Sequence, residues 1–404
     1  FTDGTHILPD ERRMEKHERR NGILMDINQM FGTLQQLAPQ IASSYCVVNG
    51  AFMGLNEIEN MGYEEFSLRS KMNMPMKLYK YFSNKAEETD GKKRNYSIEA
   101  LKNNTVFMQA PSQFDDVYDS DINLDGAEYE KLRLSEYCRR CEIKIEDSLS
   151  VQEIGNRLVQ TLMAAFESTQ NFSSAFTKIP TSKMEELSNE HFFLKLDMEL
   201  RKDADLGHAV AKIISSDYEQ YLSYLKNVFR VSCFATTPYS QLMWGGAYAD
   251  CHRGFCVEYT ILPNEEKYQS VYRNLFPMIY CKTRSNITDR LTALQDKEIT
   301  ESGLWDIYSH GALRKSIDWV YQNEWRLLLP LRCENISDYN IDFFPITKVF
   351  LGNRMDSGKR KEIIEICHER QIPYVGVMRN PSVFEMQECP VKCEECFRYN
   401  ADIK

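Results

Sequence analysis

Strand-like runs lie on both sides of a long block, residues 126–230, that reads as mostly helical. That interruption constrains the fold more than any other feature. Runs of alternating or continuous apolar residues are expected as strands near 77–83 and 105–110, and again near 231–236, 254–261, 275–281, 324–331, 347–352 and 374–378. Within the block, Val210, Ile213, Ile214, Tyr221, Leu225 and Val228 fall roughly on one helical face. The expected fold class is therefore α+β: a mixed or antiparallel β core carrying a large helical insertion.

The expected organisation follows from this pattern. Residues 1–75 form an N-terminal helical region, 76–125 and 231–385 the two parts of the core, 126–230 the insertion, and 386–404 a Cys-rich tail. In the first region Leu24, Ile27, Phe31, Leu34, Ala38 and Ile41 make one apolar seam. It suits docking on its own domain or, as the sharper alternative, a homodimer through residues 20–42. The Met-rich stretch 46–76 reads as a connector. Helices are expected near 96–104, 286–299, 302–318 and 358–370, the last between two apolar strands as a local strand–helix–strand unit.

The net charge of −10 argues against a general nucleic-acid binder, although a local basic groove would escape that count. No apolar run reaches the roughly 18 residues that a bilayer-spanning helix needs, so no membrane partner is expected. The opening FTDGTHILPDERRMEKHERR lacks the apolar core of a signal peptide. A reducing cytoplasm and free thiols are the expectation for the twelve Cys. Cys138/Cys141 and Cys393/Cys396, with Cys389 near the second pair, have the spacing of zinc ligands. They are far apart in the sequence, and each sits in charged, helix-like surroundings.

Three stretches carry candidate chemistry. In LMWGGAYADCHRGFCVEYT, residues 242–260, Trp244, Tyr248 and His252 continue a four-residue spacing from Ser240, as if on one helical face. Gly245 and Gly246 permit close approach of backbone to a ligand. Phe234, Tyr248 and Phe255 are expected close together, as an aromatic shelf for a flat ring. The plain alternative makes Trp244 and Tyr248 half-buried core residues. In KSIDWVYQNEWRLLLP, residues 315–330, Glu324 and Arg326 face one side of a strand. In LYKYFS, residues 78–83, Lys80 and Phe82 face one side and Tyr79 and Tyr81 the other. The cluster Asp115, Asp116 and Asp119 lacks the spacing of a calcium loop and reads as a cap or turn.

Taken together, LYKYFS, PSQFDDVYD, CFATTPYSQLMWGGAYADCHRGFCVEY and KSIDWVYQNEWRL resemble the ordered motifs of a bacterial domain family of unknown function, in separated blocks over about residues 77–335. The chain departs from that pattern at Asp115, where Asn is usual, and at Val117, where Pro is usual. No His stands beside Tyr248, where one apparent extra residue occurs, and Gln322 stands where a first Glu is usual. The order of elements is also similar, more distantly, to ADP-ribosyltransferases, which use His or Arg, then Tyr or Ser, then Glu. That likeness implies catalytic roles for Lys80, Tyr248 and Glu324, with Lys80 a departure from the usual residue. It also implies that Tyr79, Phe82, Ser83, Phe234, Trp244, His252 and Arg326 surround NAD. NAD would be a substrate, its ADP-ribosyl group passing to an unknown acceptor, with no metal required. Cytoplasmic bacterial domains of this kind are often toxins or defence effectors. Two other readings stay open. One is a metal-dependent nuclease or phosphoesterase using Asp116, Asp119 and Glu324 near Arg326 or Lys315. The other is a non-catalytic interaction or sensor module.

Overall fold

The computed structural model describes residues 43–89, 92–169, 195–196, 198–199, 202, 205–295, 299–331 and 339–389. The seam at 20–42 and the Cys393/Cys396 pair lie outside the described residues. The fold is α+β, with helices and mixed and antiparallel sheets. The chain divides into two compact units. Unit 1 takes residues 1–120, 229–283 and 313–404, and unit 2 takes 121–228 and 284–312.

Unit 1 holds sixteen described strands. They are β1 Tyr45–Val48, β2 Ala51–Gly54, β3 Lys77–Phe82, β4 Glu87–Thr89, β5 Lys92–Arg94, β6 Thr105–Met108, β7 Phe229–Phe234 and β8 Phe255–Thr260. They continue as β9 Leu275–Pro277, β10 Ile279–Cys281, β11 Arg314–Ser316, β12 Trp325–Pro330, β13 Tyr339–Asp342, β14 Ile346–Leu351, β15 Tyr374–Arg379 and β16 Met386–Glu388. One sheet has the order β16-β15-β14-β8-β3. All its pairs are antiparallel except β14 with β15, which the helix Ser357–Glu369 connects. Asp356 caps that helix by accepting from the Gly358 and Lys359 amides. At its other edge, β3 exchanges two backbone hydrogen bonds with Ala235 through Tyr79, at 2.8 and 2.7 Å. β7 therefore runs beside β3, and β12 pairs antiparallel with β7 along its whole length.

Side-chain alternation sorts the core into two faces. Leu78, Val257, Tyr259, Leu327, Val349 and Ile363 belong to the larger apolar cluster. Tyr79, Tyr81, Cys256, Trp244 and Phe350 belong to the smaller one on the other face. Lys80 shares its side of β3 with Leu78, and its ammonium stands 5.2 Å from the Phe234 ring centroid.

Two expectations need correction. The stretch 46–76 is not a connector: it holds the β1–β2 hairpin and the helices Leu55–Glu59 and Tyr63–Met72. The hairpin turns on Asn49 and Gly50, both at positive φ, which is the backbone that an Asn-Gly pair favours. The helix expected at 302–318 ends at Ile307, followed by a wide turn at Tyr308–Ala312. Arg314–Ser316 instead pairs in parallel with β10.

Unit 2 is helical among its described residues, with the longer helices Gly126–Arg140, Val151–Thr169 and Leu206–Leu225. Val210, Ile213, Ile214, Tyr221 and Leu225 are buried, as the periodicity expects. Asp217 is paired inside the unit. Tyr137 Oη donates to Asp217 at 3.1 Å, and Lys195 pairs with the other oxygen of Asp217 at 2.6 Å.

Candidate functional site

The strand β12 starts at Trp325, just after Asn323, whose φ of 39° turns the chain sharply into it. Glu324 and Arg326, two residues apart, point to the same side, and the Arg326 Nε donates to Glu324 Oε1 at 2.6 Å. From the segment after β6 comes Asp119, which accepts from Arg326 Nη2 at 2.7 Å, while Ser120 Oγ accepts from Nη1 at 2.9 Å. β11 brings Lys315, whose ammonium lies 3.1 Å from both Glu324 Oε2 and Asp119 Oδ2. Two carboxylates and two cations thus form a closed square, all four at 8% exposure or less. Such a cluster persists only because every charge has an opposite partner.

The cluster extends toward the surface through Gln322. Its carbonyl oxygen accepts from Lys315 at 2.9 Å, and its amide nitrogen donates to Tyr248 Oη at 2.9 Å. Tyr248 is 42% exposed, so the chain of bonds runs from solvent to the buried square. A carboxylate at 322 would put a third anion on two cations and could only accept from the phenol, not donate to it. The neutral amide does both jobs. Below, the Tyr280 hydroxyl accepts from the Glu324 backbone amide at 2.8 Å. Lys80 donates to Ser232 Oγ at 3.0 Å and to the Cys233 carbonyl at 3.1 Å, and lies within electrostatic reach of Glu324.

Burial opposes ionisation of Glu324, but the charges of Arg326 and Lys315 outweigh it and hold the carboxyl below its usual range. The same balance keeps Asp119 well below the usual carboxylate range. Burial lowers Lys80 and pushes the Cys233 thiol up to about 12. Folded-state carboxyls that titrate below their unfolded values, about 3.9 for Asp and 4.3 for Glu, add stability above those values and lose it as pH falls. Asp119→Asn/Glu324→Gln is therefore expected to be less stable than the unaltered chain at pH 7. The gap should narrow as pH drops below about 4. Denaturant midpoints measured from pH 7 to pH 2.5 check this, and a constant gap would contradict it.

The expected shelf forms differently. Ser240, Trp244, Tyr248 and His252 do not share a helical face. The helix Gln241–Gly245 stops, a short turn covers Ala247–Ala249, and Asp250, Cys251 and His252 all take positive φ. Trp244 has no exposed surface, and its indole nitrogen donates to the Pro238 carbonyl at 2.7 Å, so it is a core residue rather than a ring platform. Phe234 is buried and stacked on Phe343 at 4.5 Å. Phe82 stacks on Phe255 at 5.0 Å, and Ser83 is half-buried at the end of β3. Tyr79 points to the opposite face, where its hydroxyl donates to Glu258 at 3.1 Å. Of the aromatic residues expected to hold a ring, only Tyr248 joins the hydrogen-bond network of the charged square.

Asp116 accepts from the Tyr118 amide at 2.9 Å, as a turn residue does. Among the described residues no group of three or more His, Cys, Asp or Glu is arranged to hold a metal ion. Cys138 and Cys141 are thiols that burial pushes up to about 11 and about 12. No helix among the described residues is long and apolar enough to cross a membrane. Only the metal-dependent reading of the sequence set Asp119 and Glu324 near Arg326 or Lys315, and the place of Gln322 in the site was not foreseen. The signal for Lys315 was present, since one Lys lies within a short distance of the W-x-x-x-x-E-x-R stretch, but it read as helix.

An α+β unit with a buried charged square opening at one exposed tyrosine is the class that fold and site define. A domain of the family described as protein of unknown function (DUF2971) is found at residues 243–327, a span that covers part of the site strands of unit 1 and residues 284–312 of unit 2. The matched span holds Tyr248, His252, Lys315, Gln322, Glu324 and Arg326, while Lys80 and Asp119 lie outside it. No curated protein and no solved structure matches the chain.

Proposed function

We propose that this chain consumes NAD at the site formed by Lys80, Tyr248 and Glu324, as an enzyme similar to ADP-ribosyltransferases. One observation carries the reading. Lys80 on β3 and Tyr248 in the turn Ala247–Ala249, far apart in sequence, both lie within electrostatic reach of Glu324, which immediately precedes β12. That is the order of positions the resemblance requires.

The chemistry follows from the charges. Breaking the nicotinamide–ribose bond sends the electron pair to nicotinamide and leaves positive charge on the ribose. The ribosyl carbon is then taken by an acceptor nucleophile or by water. Glu324 is held ionised, and each of its oxygens receives one protein donor. Each carboxylate oxygen has room for a second donor, so a ribose hydroxyl can be accepted as well. A fixed carboxylate stabilises developing positive charge without reorganising. The exposed ring of Tyr248 offers a face to the nicotinamide. Lys80 commits two donors to Ser232 and Cys233, and its third is available for an anionic group. A role as toxin or defence effector rests on the resemblance alone.

The test is nicotinamide release and NAD binding by the purified chain with chelator present. Glu324→Gln is expected to lower release by about 100- to 1,000-fold. Tyr248→Ala, at the exposed rim, should weaken binding with little change in thermal stability. A Glu324→Gln protein with full NAD-dependent activity would refute the proposal, as would an unaltered chain that neither binds nor cleaves NAD. Activity that ignores NAD and dies with chelator would instead favour the metal-dependent alternative.

A further inference from the structure

A groove of about 610 Å³ lies beside the helix Gln241–Gly245, within unit 1. Its polar wall is Arg354, Arg379 and His252, with Asn353 next to them, and burial together with the Arg354 charge favours the neutral form of the His252 ring. Its apolar wall includes Leu242 and Tyr321. No acidic residue lines it. Of the carboxylates close in sequence to its lining residues, Asp250 is engaged by Lys85 at 3.0 Å and Arg253 at 3.3 Å, Asp356 caps the helix Ser357–Glu369, and Glu385 adjoins Met386. Arg354 and Arg379 are exposed, and neither side chain has a hydrogen-bond or ion-pair partner among the described residues. Two guanidiniums on one concavity with no acidic residue in its lining give it a positive field that favours an anion.

A second observation concerns His252, which lines the groove. The Nδ1 atom of His252 is buried and has no hydrogen-bond partner. The ring is nonetheless firmly held. It lies parallel to Trp244, 6.3 Å between centroids. Its backbone is pinned at both ends, the His252 amide donating to Trp244 O at 2.8 Å and its carbonyl accepting from the Arg354 amide at 3.0 Å. Three successive non-glycine residues at positive φ, Asp250 to His252, complete the turn. Strain of this kind persists where surrounding structure enforces it, and it concentrates at ligand sites.

We propose that this groove binds a phosphate-bearing small molecule of nucleotide size. Arg354 and Arg379 would grip the phosphate oxygens through paired N–H donors, as guanidinium does with planar or tetrahedral oxyanions. His252 and Asn353 would orient it, and Tyr321 with Leu242 would cover the less polar remainder. The volume suits that size, since small-molecule pockets span roughly 300–1,000 Å³. Tyr321 precedes Gln322, so the groove borders the charged square while remaining a separate set of residues. The inference does not depend on NAD cleavage, because the probes below contain no nicotinamide.

Calorimetric titration with ADP, inorganic pyrophosphate and adenosine tests it, in low salt and again at 0.15 M. ADP and pyrophosphate should bind, and adenosine should not. Arg354→Ala and Arg379→Ala should each weaken ADP about tenfold or more, with Arg354→Lys intermediate because it keeps charge but loses the fork. Both positions are exposed, so melting curves should match the unaltered chain. Failure of both phosphates to bind overturns the proposal. So does ADP binding that survives Arg354→Ala/Arg379→Ala, or adenosine binding as tight as ADP.

Discussion

Arg326→Met is expected to lose about 3–5 kcal/mol of unit 1 stability, the usual cost of removing one partner from a buried ion cluster. Arg326 has no exposed surface, and its guanidinium spends three nitrogens on three different acceptors: Nε on Glu324, Nη1 on Ser120 and Nη2 on Asp119. Methionine fills much of the volume but leaves two carboxylates facing a single ammonium, Lys315. Arg326→Lys should recover little, because a point charge cannot reach all three acceptors from one position. Taking away the anions as well changes the outcome. Arg326→Met with Asp119→Leu, Glu324→Gln and Lys315→Met should regain most of the loss, since no charge of the square is then left buried without a partner. Urea titrations followed by tryptophan fluorescence read this out, with buried Trp325 next in the chain as reporter. A loss below about 1 kcal/mol for Arg326→Met would mean that water reaches the square.

What the sequence could show about this site was local. The Glu324–Arg326 side and the opposition of Lys80 to Tyr79 follow from the two-residue period of a strand, and both hold. The strand–helix–strand unit at 346–379 was legible for the same reason, because its apolar runs and its Asp356 cap are all close together. Lys315 was read as helix because its neighbours favour one. Pairing of Arg314–Ser316 with β10 and the charge of two carboxylates overrode that preference. Asp119 read as a turn residue because its partners lie some 200 positions away. The hairpin at Asn49–Gly50 was legible and overlooked under a Met-rich composition. Trp244 shows the converse error: its four-residue spacing to Tyr248 is real, but the helix ends at Gly245 and the spacing loses its meaning.

The glycine that the fold cannot exchange is also not the conspicuous one. Gly245 and Gly246 stand out in the sequence, yet a Cβ on Gly245 would meet nothing within 4 Å. Gly245→Ala should therefore change stability by no more than about 0.5 kcal/mol. Gly254 is different. A Cβ there would lie 1.9 Å from the Phe82 carbonyl oxygen and 3.0 Å from that of Ala249. Both obstacles are backbone. The first belongs to β3, paired with β8 along six residues, and the second accepts the Gly254 amide at 2.8 Å. Neither can move without parting strands or opening the turn. Gly352 sits against the same turn, and a Cβ on it would lie 2.2 Å from the His252 oxygen. The turn that presents His252 to the groove is thus clamped by two side-chain-free positions. Gly254→Ala is expected to cost about 3 kcal/mol, at the upper end of overpacking. Where the variant still folds, ADP binding should fall with it, because relief of the clash displaces residues 250–252. Paired denaturation and titration of Gly254→Ala and Gly245→Ala decide the point. Equal, small losses in both would show that the backbone at this turn yields, and that nothing rigid holds His252 in the groove.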